Sequence, residues 1–206
     1  MDVRRVSVSP ERLGRWLANF ADRHGEIRYD VSPDLVTVVA EDGAQALIDV
    51  PFPPLQGDLV EHVLIPRRYG VLLVRRGGYG IGVFDGPKLL DSKVGSRHVQ
   101  GTTKAGGWSQ QRFARRRENQ AREAFGAAAD HAARILVPAL PDLVALYGGG
   151  DRRAVETVLA DKRLAGLADL VREPFLGVPD PRQRVLEQAG ADARAIRVEV
   201  REVKEP

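Results

Sequence analysis

Apolar residues first recur at helical spacing near the start of the chain, where Leu13, Trp16, Leu17 and Phe20 share one face over residues 10–25. Ser9 before Pro10 supplies the start signal, a capping hydroxyl followed by a proline whose missing N–H is not needed in the first turn. Strict alternation then takes over. Val36–Ala40 and Ala44–Val50 read as two strands joined by a turn at Glu41-Asp42-Gly43. Pro51-Phe52-Pro53-Pro54 and Gly57-Asp58 interrupt the pattern and place a boundary near residue 60. Residues 1–60 are thus expected to form a small N-terminal α/β module, and 61–206 the main domain.

The main domain opens with Tyr69–Arg75 and Tyr79–Phe84 on either side of Gly77-Gly78, a pair that supplies the positive φ of a tight hairpin. Lys88–Val94 follows the Asp85-Gly86-Pro87 turn and completes an antiparallel meander. A glycine- and polar-rich segment, 95–109, leads to a narrow apolar stripe of Phe113, Ala121, Ala124, Ala128, Ala132 and Ile135. That stripe predicts a helix over 110–137, stopped by Pro138 and roughly 40 Å long at about 1.5 Å per residue. Beyond it, Leu143–Tyr147 reads as a buried strand and Gly148-Gly149-Gly150 as a loop. Asp151 caps a helix through Asp161, Pro181–Ala189 forms another helix, and 195–203 is a last strand alternating Ile196, Val198 and Val200. Hairpins followed by strand–helix alternation fit an α/β fold, a three-layer mixed sheet of ribonuclease-H-like type.

Composition narrows the chemistry. Of 206 residues 43% are hydrophobic and none is cysteine, so disulfides, thiol nucleophiles, Fe–S clusters and zinc fingers are excluded. No window approaches the roughly 20 apolar residues of a membrane span, and Met1–Arg5 runs into Ser9-Pro10 without a signal-peptide core. A soluble, cytoplasmic protein without membrane contact is expected. The net charge is only +3, but Arg97, Lys104, Arg112, Arg115, Arg116, Arg117 and Arg122 face only Glu118 and Glu123 between residues 97 and 123. A basic focus on a slightly acidic body points to a local contact with a polyanion.

Several familiar sites fail on context. The run Gly77-Gly78-Tyr79-Gly80-Ile81-Gly82 lies between and within strands, whereas a dinucleotide loop must open a helix. His24, His62, His98 and His131 show no paired metal-ligand spacing. A two-metal nuclease hangs carboxylates on its core strands, but Val71–Arg76 carries no acid, and Asp85 and Asp91 lie at turns. Neither a metal nor a cofactor is expected.

The remaining segment, Gly101 to Asn119, is a flexible tip followed by a positively charged shaft. Gly106-Gly107 permits close backbone approach to a ligand. Ser109 can cap the helix, placing Gln110 and Gln111 in its first turn, where free N–H groups and the positive dipole end face outward. A neutral amide is a poor general base, but it can hold a water and donate to a developing oxyanion. Lys104, Arg112, Arg115, Arg116 and Arg117 suit phosphates of a folded RNA, and Trp108 can stack on a base or wedge into a partner. The residues alone leave three readings open: a solvated surface helix after a glycine loop, RNA binding without chemistry, and catalysis.

The run Gly106-Gly107-Trp108-Ser109-Gln110-Gln111-Arg112-Phe113-Ala114-Arg115-Arg116-Arg117 resembles the catalytic loop and following helix of archaeal and eukaryotic class-one peptide-chain release factors. Their Gly-Gly-Gln motif enters the ribosomal peptidyl-transferase centre. Trp108 stands where those factors have glutamine, and glutamines follow at 110 and 111. A displaced glutamine in a glycine-containing loop is similar to the Vms-like release factors, and the compact layout to their actinobacterial branch. The resemblance implies peptidyl-tRNA in the large ribosomal subunit as substrate and ester hydrolysis as the reaction. It implies Gln110 as the catalytic amide, with Gln111 the alternative, Gly106 and Gly107 as the residues that let the loop enter, and the basic residues as RNA contacts. With little chain for a codon-reading domain, it implies ribosome rescue without stop-codon recognition.

Overall fold

The computed structural model describes residues 2–75, 77–96 and 109–202, and over 109–122 the backbone alone. The chain divides into two compact units, one of Met1–Pro66 with Arg194–Pro206 and one of Arg67–Ala193.

The first unit is a five-stranded sheet. Its strands are β1 (Asp2–Val8), β2 (Ile27–Val31), β3 (Leu35–Ala40), β4 (Gln45–Asp49) and β10 (Ile196–Glu202), in the order β1-β10-β4-β3-β2 with every pair antiparallel. Period-two alternation puts Val36, Val38, Ala46, Ile48, Ile196, Val198 and Val200 on one buried face. Helix α1 (Leu13–His24) covers that face with Leu13, Leu17 and Phe20. The short helix α2 (Leu59–Leu64) begins at Asp58, whose carboxylate accepts from the N–H groups of Val60 and Glu61 at 2.8 and 3.1 Å.

This corrects the expected division at residue 60. The last strand belongs to the first unit and not to the mixed sheet, because it pairs Val6 with Val198 on one side and Val198 with Ile48 on the other. Alternation tells which face of a strand is buried but not which sheet receives it. The proline-rich stretch that interrupts the pattern before residue 60 also belongs to this unit. The fully buried His62 ties it down, Nε2 donating to the Pro51 carbonyl at 2.9 Å and Nδ1 accepting the Gln56 N–H at 3.1 Å.

The second unit contains β5 (Arg68–Arg75), β6 (Gly78–Asp85), β7 (Lys88–Ser96), β8 (Ala145–Gly150) and β9 (Val171–Leu176) in the order β7-β6-β5-β8-β9. The pairs β7–β6 and β6–β5 are antiparallel, whereas β5–β8 and β8–β9 are parallel. This is the ribonuclease-H-like mixed sheet. The expected glycine loop at 148–150 is the end of β8, since a Cβ at Gly149 would stand 2.7 Å from Leu73 Cδ2 and 2.9 Å from the Leu176 carbonyl. Gly150, at φ 94°, then turns the chain toward α4 (Arg152–Leu159), capped by Asp151. Strand β9 contains Pro174, which the sheet tolerates because β9 is an edge strand.

Two helical layers enclose this sheet. On one face α3 (Ser109–Ala139) and α4 pack Ala128, Ala132, Leu136 and Val155 against Leu72, Val74, Ile81 and Val83. On the other lies α5 (Gln183–Arg194), where Gly190 allows the Phe84 ring to approach its backbone, and its carbonyl accepts the Tyr69 hydroxyl at 2.9 Å. Pro138 sits in the last turn of α3, which ends one residue later.

Candidate functional site

Helix α3 begins at Ser109, so this serine is its first residue, one position inside the expected cap. Gln110 and Gln111 fall in the first turn, at positions about 100° apart around the axis. Arg112, Arg115, Arg116 and Arg117 follow within the next two turns. Lys104, Gly106, Gly107 and Trp108 lie outside the described residues, as does His98. The helix is 31 residues long, or about 46 Å at 1.5 Å per residue.

Where its side chains are described, from Glu123 onward, the helix is fixed to the sheet. Glu123 and Gly126 are exposed, Phe125 is half-buried, and Ala128, Ala129, Ala132, Ile135 and Leu136 are buried. Small residues at 128, 129 and 132 let the helix backbone approach β6 closely. Two polar contacts lock the same turn. The Arg163 guanidinium lies 2.8 Å from the Asp130 carboxylate, and the His131 ring stacks on Tyr79 with centroids 5.6 Å apart. Burial, with the Asp130 carboxylate nearby, pushes the Tyr79 phenol above its ordinary range.

Tyr79 also marks the other flank of the motif. It pairs with Gly95, next to the end of β7, and its ring occupies the space a Cβ at Gly95 would need. One aromatic side chain therefore touches both elements that bracket residues 97–108. Sequence reasoning missed this residue, since nothing in a tyrosine within a glycine-rich hairpin marks it as a tie to a helix some fifty positions on.

The other candidates resolve into structural roles. Asp85 lies 3.6 Å from Arg68. His24 Nδ1 is 2.8 Å from Asp42, where the Ala44 N–H and the His24 ring hold the carboxyl below its usual range. Among the described residues, no three His, Asp or Glu side chains form a group able to hold a metal ion. A cavity of about 90 Å³ lies between α4 and β9, walled by Leu72, Leu146, Val155 and Phe175. Arg152 lies over the Phe175 ring at 4.4 Å and bonds Glu173 at 3.2 Å. Arg152, Glu156, Arg172 and Glu173 also line that cavity.

Comparison with known proteins defines the class. Residues 67–199, well over half of the chain, match the family model described as the Actinobacteria/chloroflexi VLRF1 release factor. The protein is of the release-factor class. It belongs to the acVLRF1 family. Among solved structures, the crystal structure of an archaeal translation termination factor, aRF1, is similar at 15% identity and a TM-score of 0.43, over 93% of this chain and 66% of that one. A second archaeal protein matches at 15% identity and a TM-score of 0.41, with the same coverage. The chain thus spans 66% of the length of each of these structures. No curated protein matches it.

Proposed function

We propose that the chain hydrolyses the ester joining a nascent peptide to the terminal ribose of tRNA, on stalled ribosomes or large ribosomal subunits and without reading a stop codon. Water attacks the ester carbonyl, the bond to the ribose oxygen breaks, and that oxygen takes up the proton the water gives up. Gln110 holds the attacking water, or its backbone N–H supports the oxyanion at the positive end of α3. Gln111 takes this role if the loop is shifted by one residue. Gly106 and Gly107 admit the loop to a narrow site, and Lys104, Trp108, Arg112, Arg115, Arg116 and Arg117 bind tRNA or ribosomal RNA. The catalytic part is the unit Arg67–Ala193. Its working compartment is the cytoplasm, and it calls on neither metal nor cofactor.

The observation that carries this reading is membership of a release-factor family by a chain whose Gly-Gly-x-Ser-x-x-Arg-Phe run leads into a 31-residue helix. Tip and shaft match a device that reaches into an RNA cavity, where the RNA supplies much of the surrounding chemistry. The test is release of labelled nascent chain from stalled ribosomes and from purified large-subunit complexes. Loss of release in Gln110→Ala, with binding kept, is the expected result. Loss only in Gln111→Ala keeps the chemistry and moves the amide. Binding without release by the unaltered protein overturns hydrolysis and leaves a non-catalytic RNA- or ribosome-binding protein.

A further inference from the structure

Strand β2 forms one edge of the first sheet, and its residues 28–31 are exposed, with Tyr29 at 50% and Val31 at 58%. Among the described residues the two sheets end in four edges, β1, β2, β7 and β9. An open edge invites pairing with another chain unless a proline, a bulge or a charge blunts it. Strand β9 carries Pro174, and the register of β7 shifts at Leu90. Laid antiparallel along a copy of itself, β1 sets Arg5 opposite Arg5, a like-charge clash. Strand β2 has neither proline nor bulge, and its five residues read Ile27-Arg28-Tyr29-Asp30-Val31.

That order is complementary to itself. Two antiparallel copies related by a two-fold axis through Tyr29 set Arg28 of each opposite Asp30 of the other, Ile27 opposite Val31, and Tyr29 opposite Tyr29. The backbone has the matching parity. The Glu41 N–H donates to the Glu26 carbonyl and the Ser32 N–H to the Leu35 carbonyl, both at 2.9 Å. With Ile27 opposite Ala40, these bonds fall on the even-numbered residues of β2. Arg28 and Asp30 therefore bond toward β3, and the N–H and carbonyl groups of Ile27, Tyr29 and Val31 point away from the sheet. In the self-paired register each of those three exchanges both bonds with its counterpart. Arg28 and Asp30 then take the non-hydrogen-bonded positions, where facing Cα atoms are only about 4.5 Å apart. Among the described residues neither has an ion-pair partner within its own chain. We propose that the protein self-associates through β2, a second copy joining the two first-unit sheets into one continuous sheet.

Analytical ultracentrifugation of the full chain over rising concentration tests this. Arg28→Asp and Asp30→Arg each set like charges across the pairing, and both side chains are exposed, so neither change reaches the core. Each variant alone is expected to lose the dimer. An equimolar mixture of the two is expected to regain it as a heterodimer, because one chain then carries two carboxylates at 28 and 30 and the other two guanidinium groups. The double exchange, Arg28→Asp with Asp30→Arg, is expected to restore the homodimer. Amide hydrogen exchange gives a second reading. The N–H groups of Ile27, Tyr29 and Val31 are expected to slow as concentration rises, while those of Arg28 and Asp30, already bonded to β3, hold their rates. A dimer that survives both single variants overturns the pairing, as does a mixture that fails to associate. A chain that stays monomeric up to about 0.5 mM overturns it outright. None of these readings draws on release activity, so the pairing stands or falls apart from the proposed function.

Discussion

The ring of Tyr79 stacks on the imidazole of His131 at 5.6 Å and passes over Gly95 in the neighbouring strand. Strands β6 and β7 and helix α3 therefore meet at one side chain. The strand that leads into the motif and the helix that leads out of it share a mechanical reference, although their contact points, Gly95 and His131, are far apart in sequence.

Gly95→Ala tests this junction. A methyl group there is driven into the Tyr79 ring, and overpacking of this kind costs about 1–3 kcal/mol. Urea midpoints of Gly95→Ala, Tyr79→Ala and the double variant form a cycle. The double variant is expected to lose less stability than the two single losses added together, because removing the ring makes room for the methyl.

Acid weakens the fold in a defined direction. Glu11 is held below its ordinary value first by its bond from Arg194, Asp42 by the Ala44 N–H and His24, and Glu199 by Arg201 and Arg5. Asp161 is lowered to about 2 by Arg163. Each carboxyl is more acidic in the folded protein than in the unfolded chain, so its contribution is full above the unfolded value and disappears as pH falls through the folded one. The urea midpoint is expected to decline steadily from about pH 5 to pH 2. Because these pairs are largely solvent-exposed, added salt is expected to flatten the decline.

His62 carries a second stability prediction. Its ring nitrogens bond the Gln56 N–H and the Pro51 carbonyl from a fully buried position. His62→Ala removes both bonds and leaves a cavity, for an expected loss of about 2–4 kcal/mol in chemical denaturation. His62→Phe refills most of the volume without the bonds, and the difference between the two variants separates packing from bonding.

The arginines of α3 are tested by salt. If Arg115 and Arg116 each meet a phosphate, replacing either by alanine weakens binding to ribosomal particles and lowers the slope of log affinity against log salt by about 1 per residue. A slope that does not change removes that residue from the RNA interface.

Local patterns in the sequence revealed much of this architecture. The β3–β4 and β5–β6 hairpins, the long helix and the Asp151 cap all follow from alternation, helical periodicity and turn chemistry within a few residues of each other. What escaped depended on distant partners. β1 begins Asp2-Val3-Arg4-Arg5, with little apolar alternation, and is a strand because β10 returns to pair with it. β9 carries a proline that argues against a strand everywhere except at an edge. In the candidate site, the motif was legible because it is contiguous. Tyr79, Asp130, His131 and Arg163 were not, since each is an ordinary residue until the fold brings it to its partner.

The placement of β10 has a consequence for biosynthesis. Asp2 pairs with Glu202 across nearly the whole chain, and β10 sits between β1 and β4 in the sheet. Strand β1 must therefore wait for the later-made β10 before their sheet can close. The central unit, whose strands pair within Arg67–Ala193, can fold while that happens. Vectorial synthesis thus meets an insert that matures ahead of its host, and a chain cut short after the central unit leaves β1 and β4 as bare edges open to intermolecular pairing.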